Sequence, residues 1–435
     1  MNSGDPEPVL AADPSQRIVA LDAIRGVAVM GILAMNIVVF AMPDVAYFLP
    51  AVGSSASIGD TISWTISFIL FDGKMRGLFS LLFGASIMLM ITRGHAQQVK
   101  TSGSPGALHL RRMGWLAVFG LVHFYLIWWG DILFLYAVAG TVAFAFRKLD
   151  GAALVTAALL IYTVNTAFMA LTMGALYGLE YAAGQPGASA TAVNEYAGIM
   201  AELTGGYAQQ IALYKSGYAE IVQYRLTEQF WFPAEMIAQN IGETLPFMLI
   251  GMALMKAQFG SPDRSLRAYW RWAKIGLGIG GLGYALLALA AYRSNFDVIT
   301  IYNITIAWSM PFRLPMAMGY AALIVLLIAR AQDNDSDTSG VICSIVSKLV
   351  ARISAAGRTA FTNYIGTSIV MTSIFYGYGF GLFGDVSRSA LWLFVAAGCA
   401  LMLLWPKWWL ARYRYGPLEW LWRSLARGEW QRMQR

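Results

Sequence analysis

The chain has 435 residues, of which 58% are hydrophobic, 14% aromatic and only 13% charged. Soluble domains carry roughly twice that share of charge, so the composition excludes an ordinary water-soluble enzyme and points to a polytopic membrane protein. The formal charge of +7 can arise from cytoplasmic loops alone and is not a nucleic-acid signal. Cys343 and Cys399 are too few for a disulfide framework, and their spacing matches no metal or redox motif, so both read as structural.

In chain order, the N-terminal stretch holds Asp5, Glu7 and Asp13 but no Lys or Arg before Arg17, so it lacks the basic start of a signal peptide. The apolar run that follows reads as an uncleaved first span. At about 20 apolar residues per crossing, spans are expected near 18–43, 77–92, 113–129, 131–147, 152–177, 233–256, 274–292, 305–329, 359–381 and 389–410. The fold class is therefore an all-α membrane bundle of about ten helices. Placing both termini inside puts 23 of the 31 basic residues in inner segments and only Lys74, Arg76, Lys215, Arg225, Arg293 and Arg388 in outer ones. That asymmetry is the positive-inside pattern, and it predicts an N-in, C-in chain.

The expected organisation is a cytoplasmic tail at 1–17 and a five-span bundle at 18–177, with an outer half-helix at 61–76. An outer, Tyr-rich and helical connection follows at 178–232, then middle spans at 233–329. An acidic, Ser-rich cytoplasmic linker at 330–340 precedes C-terminal spans at 341–410 and a basic cytoplasmic tail at 411–435. In that tail, Pro417 suits a first helical turn, and Leu418, Leu421, Trp422 and Leu425 share one face. It reads either as a surface anchor for anionic lipid or as a helix docked on the core.

Polar residues inside the spans carry the functional signal, because ionisable groups in a membrane interior need a reason to be there. Asp22, Arg25 and Asn36 share one face of the first span at ~100° per residue. Asp22 and Arg25 read as a structural i,i+3 ion pair, and Asn36 as part of an outer cavity. His123 and Asp131 are the candidate catalytic residues, since His supplies a base near neutral pH. Asn36, Lys74, Arg76, Glu243, Arg313 and Asn363 are the candidate cavity or substrate-binding residues. His123 is expected beside Asp131, with Glu243 or Arg313 within reach. Each also has a structural reading: an interhelical hydrogen bond for His123, an ion pair for Glu243 and Arg313, and a helix cap for Asp131.

Weaker patterns add little. IGLGIGGLGY at 275–284 has no strand before it, so close helix packing explains it better than a nucleotide loop. No nucleophile-elbow sequence occurs, and His95 and His109 lack ligand spacing, so no metal site is expected.

Several segments together resemble the YeiB-like family of bacterial inner-membrane proteins: RIVALDAIRGVAVMGILAMNI at the start, FDGKMRGLFSLLFGASIMLM at 71–90, GLVHFYLIWWGDILFLYAVAG at 120–140, GRTAFTNYIGTSI at 357–369 and RYGPLEWLWRSL at 414–425. The resemblance implies a multi-helix plasma-membrane fold, with transport a frequently suggested role. The N-terminal half is also similar to transmembrane acyltransferases of the heparan-α-glucosaminide N-acetyltransferase type, through Asp22, Arg25, Gly26, Asn36 and LFSLLFG. Those enzymes use a His shortly after the Asn. IVVFAMPDVAYFLP at 37–50 has none, which leaves His123 to serve in its place.

Three readings follow. The first is acyl transfer from a cytoplasmic acyl-CoA, arriving near Arg25, Arg112 and Arg358, to an external acceptor. The second is export or transport of a small lipophilic or anionic molecule. The third is a non-catalytic membrane subunit with a partner protein or a second copy. The partners implied are the lipid bilayer and a small-molecule or lipid substrate, and no nucleic acid.

Overall fold

The computed structural model describes residues 14–51, 57–96, 105–259, 266–332 and 340–435. Most of the expected tail at 1–17 and of the linker at 330–340 lies outside them, as does the side chain of His95. Among the described residues the regular secondary structure is helical, apart from an isolated bridge between Tyr413 and Gln434.

The first half contains α1 (Pro14–Ala41), α2 (Val45–Phe48), α3 (Ile58–Leu70), α4 (Lys74–Ala96), α5 (Pro105–Val122), α6 (Leu133–Ala145) and α7 (Gly151–Ala183). The connection at 178–232 contains the end of α7 and three further helices: α8 (Ala190–Thr204), α9 (Tyr207–Tyr214) and α10 (Tyr218–Thr227). The second half contains α11 (Phe232–Lys256), α12 (Leu266–Arg293), α13 (Val298–Tyr302), α14 (Met310–Gln332), α15 (Gly340–Arg358), α16 (Ala360–Phe375), α17 (Leu391–Arg412) and α18 (Pro417–Arg427).

Among the described residues, seven helical segments are long and apolar enough to cross a membrane: Val19–Ala41, Ile58–Thr92, Pro105–Ile127, Gly151–Ala183, Leu266–Arg293, Met310–Arg330 and Leu391–Arg412. The remaining three expected spans fall short of that measure of length and apolarity. α6 has 13 residues and α16 has 16, about 20 and 24 Å of rise against a hydrocarbon core of about 30 Å. α11 is long enough at 25 residues, but it carries Glu235, Glu243 and Lys256, and it is buried almost continuously from Glu243 to Met255. A helix wrapped by protein needs no lipid-facing hydropathy, so its sequence tolerates charge.

α1, α4, α6, α11 and α14 supply much of the principal core. The glycine run at 275–284 serves packing: a Cβ on Gly276 would lie 2.3 Å from the Pro315 carbonyl oxygen of α14. One helix was not anticipated as a separate element. α15 is amphipathic and lies along α1, a pattern that hydropathy windows tuned to continuous spans overlook. α18 docks on the protein: Trp422 Nε1 donates to the Arg112 carbonyl at 2.9 Å, and Leu418 and Trp422 pack against the core.

Candidate functional site

α5 does not stop at Val122 but widens into a π-helical turn over His123–Ile127, a local departure common at functional sites. The chain then leaves the helix at Trp128 and re-enters at α6, and Gly120 sets how closely the two helices meet. A Cβ there would lie 2.4 Å from the Phe134 nitrogen and 2.9 Å from Asp131 Oδ2, so only glycine lets α6 approach this near.

The approach places His123 Nδ1 2.8 Å from Asp131 Oδ1, with both side chains buried. Asp131 Oδ2 accepts from the Phe134 amide at 2.9 Å, satisfying an otherwise orphaned donor of the first turn of α6. With both carboxylate oxygens accepting, Nδ1 is the donor, and in a neutral ring the lone pair then falls on Nε2. Nε2 is buried and has no hydrogen-bond partner among the described residues. Tyr364 of α16 covers the imidazole at 5.1 Å between ring centroids, and its hydroxyl donates to Gly130 O at 3.3 Å while accepting from Ile132 N at 3.2 Å. The strand-like link between the two helices is thereby fixed from a third. Trp128 stacks on Phe40 at 3.9 Å, tying the same link to α1.

A second cluster is separate. Glu243 accepts from Arg76 Nη2 at 2.6 Å and from Arg313 Nη1 at 3.0 and 3.1 Å, and Arg76 Nη1 donates to Asn240 at 2.9 Å. Arg313 also donates to Ser309 Oγ and to the Thr305 carbonyl. The expectation that Glu243 or Arg313 would reach His123 is not met: among the described residues no hydrogen bond or ion pair joins them. Glu243 is instead engaged by the two guanidinium groups, and Arg313 by Glu243, Ser309 and Thr305.

Lys74 follows Gly73, whose φ of +69° turns the chain sharply between α3 and α4. Its ammonium is fully buried, donates to Phe68 O at 2.6 Å and lies 3.0 Å from the centroid of the Tyr284 ring. Beside it, the Tyr47 hydroxyl donates to Asp72 Oδ1, while Asp72 Oδ2, Thr305 Oγ1 and Arg388 Nε are buried with no hydrogen-bond partner among the described residues. Asp72, Thr305 and Arg388 line one cavity of about 20 Å³ together with Tyr47, Ser67 and Trp64, a space of about one water molecule. Tyr47, Asp72, Thr305 and Arg388 escaped the sequence reading. Their partners are distant in the chain, and an Asp or Arg at a helix boundary looks like ordinary loop polarity.

Asn36 is buried on α1 next to Met35, which lines that cavity, but no described hydrogen bond joins it to the cluster. Asn363 lies elsewhere. Its amide donates to Ala356 O and Thr359 Oγ1 and accepts from Trp405 Nε1 at 2.8 Å, joining α15, α16 and α17. Arg25 and Asp22 form the anticipated pair at 3.0 Å, and Arg25 also donates to Ser86 on α4 at 3.2 Å. Among the described residues no group of His, Cys, Asp and Glu has the geometry of a metal site. An open groove of about 660 Å³ at the start of α12 is lined, among the described residues, by Arg267, Trp270, Arg271, Lys274 and Ile275.

A bundle of long apolar helices, with ionised and imidazole groups enclosed among them, defines a polytopic α-helical membrane protein. The chain belongs to the YeiB-like family. Residues 254–429 match the family described as "Protein of unknown function (DUF418)". The chain is 30% identical to "Uncharacterized protein YxaH" of Bacillus subtilis (strain 168), over 96% of each chain. It is 29% identical to "Uncharacterized protein YeiB" of Escherichia coli (strain K12), over 94% of this chain and 96% of that one. No solved structure matches the chain.

Proposed function

We propose that the protein is a bacterial plasma-membrane acyltransferase-like enzyme in which His123 is the general base and Asp131 orients it. The observation that carries this reading is the pairing itself: Nδ1 is committed to Asp131 at 2.8 Å, and Nε2 is left buried and unpartnered. An imidazole held in one tautomer by a carboxylate is the arrangement that proton abstraction needs. In the proposed reaction, Nε2 takes the proton of an acceptor hydroxyl or amine as its oxygen or nitrogen attacks the thioester carbonyl of acyl-CoA. The tetrahedral intermediate then expels the thiolate, the C–S bond breaks, and the imidazolium returns the proton to sulfur. The donor would enter from the end of the bundle bearing Arg25, Arg112 and Arg358, and the acceptor from the end bearing α8–α10.

Purified protein in liposomes, given acyl-CoA labelled in the acyl group, is expected to transfer or slowly hydrolyse the label. Absence of both donor binding and turnover across acyl chain lengths would contradict the reading. Transport is the second reading, and the cavity beside Asp72 favours it. Arg388 and Asp72 line that cavity with Tyr47 and Thr305, and an arginine in its wall is suited to meeting a small anion. Uptake of labelled small anions by the same liposomes separates the two.

A further inference from the structure

Arg225 is the last charged residue of α10, a helix whose Tyr218, Tyr224 and Leu226 face outward while Arg225 itself is only 1% exposed. Its Nη1 makes a long 3.5 Å bond to the Tyr125 carbonyl. Nε and Nη2 make no hydrogen bond, and no carboxylate forms an ion pair with the guanidinium among the described residues. A buried charge left unpaired is strongly unfavourable, so such a group points to a counter-ion that completes it. The two free donors are not scattered. Nε–H and Nη2–H form one edge of the planar guanidinium, the edge that grips two oxygens of a single carboxylate or phosphate.

The surroundings fit an oxyanion. Among the described residues the buried Tyr376 hydroxyl makes no close hydrogen bond, and it and the Tyr214 hydroxyl are the weak hydrogen-bonding neighbours of the guanidinium. The rings of Tyr214 and Tyr376 pack at 4.7 Å, and Gly377 N donates to Tyr214 O at 2.8 Å, which locks α9 to the segment after α16. α10 in turn holds the π-helical turn that begins at His123: Tyr218 donates to Leu126 O at 2.9 Å, and Arg225 reaches Tyr125 O in the same turn. We infer that Arg225, assisted by the Tyr376 hydroxyl, is a binding site for a carboxylate or phosphate group, closed over by α10 and coupled through the π-helical turn to His123. The binding role does not depend on acyl transfer, and its test uses no acyl donor.

The experiment is a thermal-shift titration of the full chain in phosphatidylcholine nanodiscs with sodium acetate, sodium phosphate or sodium chloride at matched ionic strength. A parallel arm uses nanodiscs containing phosphatidylglycerol. A saturable rise in melting temperature with acetate or phosphate but not chloride is expected; a rise confined to the phosphatidylglycerol arm would assign the group to a lipid headgroup. Arg225→Met should abolish the rise, and Arg225→Lys, which keeps the charge but loses the two-point edge, should weaken its midpoint about tenfold or more. No oxyanion-specific rise in any arm, or an unchanged rise in Arg225→Met, overturns the inference. If Arg225→Met does not fold, an unchanged midpoint in Arg225→Lys overturns it equally.

Discussion

His123 begins the π-helical turn and Asp131, eight residues on, lies in the link that leads into α6, and their pairing was readable because both lie close to one short connection. Asp72 and Arg388 were not readable in the same way. Arg388 donates to the carbonyls of Ala46 and Leu49, more than 300 residues earlier, and nothing local in the sequence announces such a bond. Arg225 was counted only as a loop cation, because burial of a short surface helix depends on what packs beneath it. Asp22 and Arg25 show the opposite case, since an i,i+3 pair is decided by helical geometry alone. Removing Asp22 leaves Arg25 with only its bond to Ser86, whereas Asn36 has no described charged partner. Asp22→Ala is therefore expected to lower membrane yield more than Asn36→Ala, as read by quantitative blotting of membranes. Equal, wild-type-like yields would refute the division of roles.

Helix ends explain what the C-terminal element does. α16 has no capping side chain of its own at Thr359. Glu419 of α18 supplies one from across the fold: Oε1 accepts from the amides of Phe361 at 2.7 Å and Thr362 at 3.1 Å, and Oε2 from the Thr362 hydroxyl at 2.6 Å. α18 is docked on the core through a capping bond in trans, which a sequence read one helix at a time does not reveal. Glu419→Ala should cost about 2 kcal/mol by orphaning two amides, and Glu419→Gln, which keeps an acceptor there, less than half of that. Burial pushes the Glu419 carboxyl above its ordinary range, although its hydrogen bonds oppose this. Because the folded pKa is raised, the stabilising contribution is full below the unfolded value of 4.5 and is lost as pH rises through the folded value. Glu419→Gln should flatten that part of the stability profile in thermal melts between pH 4 and 7; a slope as steep as the wild type's would contradict the assignment.

For the molecule as a whole, composition and hydropathy made the all-α membrane class legible, and the structure agrees with seven helices of spanning length and apolarity. Short and charged helices were harder to classify. α6 and α11 are enclosed by neighbours, so their hydropathy reports packing rather than lipid contact. The basic bias of the expected inner segments predicts that both termini are cytoplasmic. A fluorescent-protein reporter that matures only in the cytoplasm, fused after Arg435, should be bright; a phosphatase reporter active there instead would invert the topology and with it the direction of the proposed transfer.

The central claim is that His123 and Asp131 act as one chemical unit, and the most direct measurement is the acyl-transfer rate of His123→Ala, Asp131→Asn and the double variant in matched liposomes. Each single change is expected to lower the rate by about 10²–10⁴-fold, with protein yield and melting temperature near wild type for the histidine variant. The double variant should be no slower than the worse single one, because residues acting as a unit lose their contribution together. Full activity in His123→Ala, or losses that multiply independently in the double variant, would contradict the account.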